Sequence, residues 1–63
     1  MNELKEIRES RGLSQFQLSI LSGVNQSNIS RIERGVESPT LATLERLARA
    51  MDMKLVIEFK EKG

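Results

Sequence analysis

The sequence predicts a mainly α-helical domain of four helices, completed by one C-terminal β-strand. Apolar residues recur at helical spacing as far as Met51, and the pattern is broken at Gly12, Gly23, Gly35 and Pro39. From Met53 the period changes to strict alternation. The 63 residues suit one small domain, taken as a single unit over 1–63, with no linker, repeat or low-complexity tract.

Helix one is expected from about Asn2 to Arg11. Asn2 suits an N-cap, Glu3 and Glu6 suit the positive end of the helix dipole, and Gly12 supplies a left-handed stop. Leu4 and Ile7 mark its inner face. Arg8 falls on that same face, where it either meets an acid or snorkels past Ile7 to water.

Helix two begins at Ser14, which forms an S-x-x-Q capping box with Gln17. Leu18, Leu21 and Ser22 share one side; Gly23 ends the helix and Val24 drops into the core. Helix three is capped by Asn25 and ends at Gly35. Its Ile29 and Ile32 face inward, with Glu33 on the inner edge. Val36 to Pro39 form a turn. Thr40 caps helix four, where Leu41, Leu44, Leu47, Ala48 and Met51 make one stripe, with Ala42, Arg46 and Arg49 opposite.

The strand is expected at about 53–60. Met53, Leu55, Ile57 and Phe59 alternate with Lys54, Val56, Glu58 and Lys60. Everything upstream reads as helix, so this strand has no partner in its own chain, and an unpaired strand exposes a row of backbone donors and acceptors. A second copy related by a two-fold axis resolves this by antiparallel pairing, which makes Leu55, Ile57 and Phe59 the dimerisation residues. A frayed tail, or a last turn that continues helix four, are the alternatives.

Composition narrows the chemistry. There is no cysteine and no histidine, so disulfides and thiolate metal sites are excluded, zinc is disfavoured, and the usual nucleophile and general base are missing. Asp52 is the only aspartate and the glutamates are scattered, so no catalytic cluster, metal or cofactor is expected. No apolar run approaches the length of about 18 residues that suggests a membrane span, and no leader is legible. A cytoplasmic, non-enzymatic protein is expected. A core this small supplies no more than roughly 3–5 kcal/mol, and oligomerisation is the common staple that remains.

The net charge of +1 announces no polyanionic partner, but its distribution is informative. Residues 10 to 32 contain no Asp or Glu, and a surface free of carboxylates approaches phosphate without repulsion. That segment takes in most of the most informative stretch, 14–35: two short helices around the turn at Gly23. The second has an apolar face and, opposite it, Ser27, Ser30, Arg31 and Arg34, with Gln26 at the edge. Such a helix packs on a scaffold with one side and lies in a DNA groove with the other. The Arg31 fork suits guanine O6 and N7, and Gln26 suits adenine N6 and N7. Gln15 sits in the first turn of helix two, beside free backbone N–H groups. Helical hairpins with a glycine turn also occur in proteins that never touch DNA, and Arg31 then reads as an ordinary solvated arginine.

Ile7-Arg8, Gly12-Leu13-Ser14-Gln15, Leu18, Gly23-Val24, Ser27, Ile29-Ser30-Arg31-Ile32-Glu33-Arg34-Gly35 and Pro39-Thr40-Leu41 together resemble the phage-repressor-like helix-turn-helix family, often called XRE. The resemblance spans roughly residues 3 to 51. It implies a four-helix lambda-repressor-like domain that binds double-stranded operator DNA as a homodimer, usually as a repressor. By resemblance, Asn25, Gln26, Ser27 and Arg31 match positions that reach base edges. Gln15 and Asn28 match positions that hold phosphates, with Arg34 and Ser38 weaker candidates. Arg8 and Glu33 match an inner ion pair.

Two features depart from that pattern. Phe16 and Ile20 are bulky and apolar at i, i+4, where the family more often has polar residues; they are either scattered surface hydrophobes or a docking patch for a protein. The C-terminal strand looks more like antitoxins and small autoregulators. An antitoxin that binds a toxin protein and its own promoter is therefore the alternative to a plain repressor.

Overall fold

A computed structural model describes residues 2–62. Four helices follow in order: α1 (Asn2–Ser10), α2 (Gln15–Ser22), α3 (Gln26–Glu33) and α4 (Leu41–Ala50). α3 packs on α1 and α2, and α2 packs on α4.

Side chains define where three helices begin. Ser14 Oγ accepts the Gln17 N–H at 3.0 Å, and the Gln17 side-chain oxygen accepts the Ser14 N–H at 2.8 Å. Asn25 Oδ1 accepts the Ser27 N–H at 2.7 Å, and Thr40 Oγ1 accepts the Thr43 N–H at 3.1 Å. Each bond satisfies a donor that the first helical turn leaves open. Asn2, expected as a cap, is instead the first helical residue of α1.

The helix ends use left-handed backbone. α3 closes in a Schellman motif: Gly35 has φ 77°, its N–H donates to Ile32 O at 3.1 Å, and the Val36 N–H reaches Arg31 O at 3.0 Å. α4 ends in the same way, but with Asp52 in the left-handed position at φ 57°. Aspartate tolerates that conformation better than most residues with a side chain.

Leu4, Leu18, Val24, Ile29, Ile32, Leu47 and Met51 form the core, with Ile7, Leu13 and Ala50 packed against it. Leu21 and Leu41, expected inside, are exposed. In a helix of about two turns the buried stripe is narrow, and in α2 only Leu18 is buried. Leu41 is the first residue of α4, well before Leu47 and Met51, which enter the core.

The expected strand over 53–60 is not formed. Among the described residues there is no strand, and 53–62 carry no regular structure. The backbone groups upstream are engaged inside helices, so the tail has no ladder to join, and alternation alone cannot supply one. Leu55 is half-buried, whereas Ile57 and Phe59 are exposed, Phe59 completely. No helix among the described residues is long and apolar enough to cross a membrane.

Candidate nucleic-acid interface

α3 carries its two characters on opposite sides. Ile29 and Ile32 are fully buried, while Gln26, Ser27 and Arg34 are exposed and Ser30 and Arg31 half-buried. With Gln15 from the start of α2, these five polar residues line an open hollow of about 320 Å³. Its walls hold amides, hydroxyls and guanidinium groups and no carboxylate. That is the chemistry of a surface that donates to phosphate and to base edges.

The hollow rests on an ionic junction. Arg8 donates to Glu33 through Nε at 2.7 Å and through Nη2 at 3.0 Å. Its Nη1 donates to Leu13 O at 2.8 Å, and Gln15 Nε2 donates to Glu33 Oε1 at 3.0 Å. α1, the entry to α2 and the end of α3 are thereby tied at one carboxylate. Burial pushes the Glu33 carboxyl up, but the hydrogen bonds from Arg8 and Gln15 and the Arg8 charge outweigh it and hold it below its usual range. The hydrogen bond to Glu33 raises Arg8 further above its already high value.

The other residues singled out in the sequence take different places. Gln15 lines the hollow while its amide is engaged by Glu33. The Asn25 side chain caps α3. Asn28 Oδ1 accepts from Arg31 Nη2, so its amide NH₂ is the donor a phosphate would take. Arg34 Nε lies 3.4 Å from Ser30 O. Ser38 is exposed but does not line the hollow.

Sequence reasoning missed Glu37. Its Oε1 accepts from Arg31 Nε at 3.1 Å. The Schellman turn at Gly35 reverses the chain and brings Glu37 back beside the outer face of α3. Gly35 was the available signal for that reversal, but spacing alone does not say which side chain returns to α3.

A family model described as helix-turn-helix matches residues 4–57. The chain is 44% identical over 59 residues to an uncharacterised HTH-type transcriptional regulator, y4dL, of Sinorhizobium fredii, covering 94% of this chain and 30% of that protein. It is 41% identical over 58 residues to the HTH-type transcriptional regulator PuuR of Escherichia coli, covering 92% and 31%. Over 50 residues it is 44% identical to the HTH-type transcriptional repressor RghR of Bacillus subtilis, covering 78% and 37%. The chain thus spans about a third of the length of these relatives. No solved structure matches it.

Proposed function

The chain belongs to the helix-turn-helix family, and from that membership we propose that it is a sequence-specific regulator of transcription, a dimeric repressor of a palindromic operator, acting in the cytoplasm. The observation that carries this reading is the acid-free hollow between the start of α2 and the outer face of α3. In this reading α3 enters the major groove. Arg31 takes guanine, Gln26 takes adenine, Ser27 and Asn25 complete the base-facing set, and the α2 N-terminus with Gln15, Asn28, Arg34 and Ser38 meets the backbone. Two copies, joined through the tail residues Leu55, Ile57 and Phe59, present two such helices about 34–36 Å apart on successive grooves.

A gel shift on the DNA upstream of the gene, titrated with salt, together with a mass measurement in solution, tests the proposal. Binding to an inverted repeat by a dimer is expected, with a log–log salt slope shallower than about −10 because few cations face the backbone. Arg31→Ala is expected to remove about 1–3 kcal/mol of discrimination at one base in each half-site. Equal weakening on every sequence would instead make Arg31 a phosphate contact. A monomer that ignores every inverted repeat would end the repressor reading.

One observation favours a second reading, docking of a protein such as a toxin. Phe16 and Ile20 are 58% and 65% exposed on α2. Changing both to Gln leaves operator affinity unchanged and abolishes toxin binding if that patch serves a protein.

A further inference from the structure

We propose that Glu37 is a positioning residue for the base-reading arginine, one that trades general affinity for DNA against selectivity. The inference rests on the DNA-reading assignment of α3. In a chain whose residues 10 to 32 lack acids, the next two acids are Glu33 and Glu37. Glu33 is turned inward to Arg8 and Gln15. Glu37 is different: it lies on the outer side, against the one arginine whose fork suits a base edge.

The guanidinium of Arg31 is gripped at two points. Nε donates to Glu37 Oε1 at 3.1 Å, and Nη2 donates to Asn28 Oδ1. An arginine has five N–H donors. The two grips use one on Nε and one on Nη2, leaving both on Nη1 and the second on Nη2. Guanine O6 and N7 need two donors side by side, and the three that remain all lie on Nη1 and Nη2, away from the Glu37 grip. A guanidinium already held in place loses less freedom when it meets its base.

The grip is built into the fold. The left-handed Gly35 and the Val36 N–H on Arg31 O turn the chain back on α3, so the residue just before Glu37 is anchored to the carbonyl of Arg31. Its charge also has a second effect. A carboxylate beside the reading face repels phosphate on any sequence, and that repulsion is offset where Arg31 finds guanine. The repulsion lowers affinity on every sequence alike, and the selectivity comes from the held guanidinium, which adds affinity only where Arg31 meets its guanine.

The test selects duplexes from a random-sequence pool with the full chain, then measures binding of the wild type, Glu37→Ala, Glu37→Gln and a control, Glu45→Ala. Glu45 pairs with Arg49 on α4 and does not line the hollow. The duplexes are the selected one, the same with its Arg31-dependent guanine replaced, and a scrambled one. The wild type is expected to discriminate against the replaced guanine by about 5- to 150-fold. Glu37→Ala should bind the scrambled duplex severalfold more tightly and lose most of that discrimination. Glu37→Gln, which keeps an acceptor but not the charge, should gain the general affinity and retain part of the discrimination. The control should change neither, and melting of all variants by circular dichroism should match the wild type. If Glu37→Ala shifts all three duplexes by one factor with discrimination intact, the residue is only a surface charge and the proposal is overturned. If the wild type selects no sequence at all, the DNA reading fails and this inference falls with it.

Discussion

Two arginine–glutamate pairs stand on opposite sides of α3, and they differ in access to water. In the Arg8–Glu33 pair the side chains are 9% and 4% exposed; in the Arg31–Glu37 pair they are 42% and 38% exposed. Glu33 receives N–H groups from both Arg8 and Gln15, whereas Glu37 holds Arg31 through Nε alone. Stripping water from a charge is expensive, so a buried partner is hard to lose. The outer pair is hydrated and screened, so its bond can be exchanged for another acceptor. The same chemistry fixes the arrangement of three helices on one side and leaves the Arg31 guanidinium exchangeable on the other.

The sharpest way to break this contrast is Arg8→Met. Leaving Glu33 buried without its cation is expected to cost about 3–5 kcal/mol. That equals the whole contribution of a core this size, roughly 3–5 kcal/mol. Far-UV circular dichroism should then report a largely unfolded chain, and Arg8→Met with Glu33→Leu should regain part of the loss. A single variant that melts like the wild type would make the inner pair as expendable as the outer one.

A pH effect comes next and is bounded by that loss. Glu33 is held below its unfolded value, so its contribution to stability is present above the unfolded carboxyl range, near pH 4.3, and is lost as pH falls through the folded value. Urea melts at descending pH should show this limb in the wild type and in Glu37→Gln, but not in Glu33→Gln, which is already weaker at pH 7. An acid limb that survives Glu33→Gln would assign it to other carboxyls.

The smallest effect concerns the turn that links the two pairs. A Cβ on Gly35 would meet nothing within 4 Å, so Gly35→Ala pays only for left-handed backbone at φ 77°. That strain is about 1–2 kcal/mol. Urea unfolding should show a loss of this size, and any larger loss would mean that the return of the chain to Arg31 also holds the fold.

The legible parts of this molecule were those written in local chemistry. Ser14 with Gln17, Asn25 and Thr40 announce helix starts because a cap needs a side-chain acceptor next to open N–H groups. Leu18, Ile29, Ile32 and Leu47 announce the core by their spacing. The inward positions of Arg8 and Glu33 followed from the same periodicity. Leu21 and Leu41 misled because periodicity gives a face and not how far the neighbouring helix extends over it. Asp52 gave no warning that it would take a position usually held by glycine. The alternation of 53–60 describes which residues would share a face, but a strand is a property of two paired segments, and this chain offers one.

By itself the sequence determined the four helices, the caps at Ser14, Asn25 and Thr40, most of the buried stripe and the acid-free outer face of α3, since each depends on residues a few positions apart. The tertiary structure decided what lies far along the chain yet close in space: that Gln15 reaches Glu33, that α1 and α3 share one carboxylate, and that a turn at Gly35 sets Glu37 against Arg31. Those contacts depend on the direction in which each helix leaves its cap and on which groups are thereby shut away from water, and neither is encoded in the spacing of a short window.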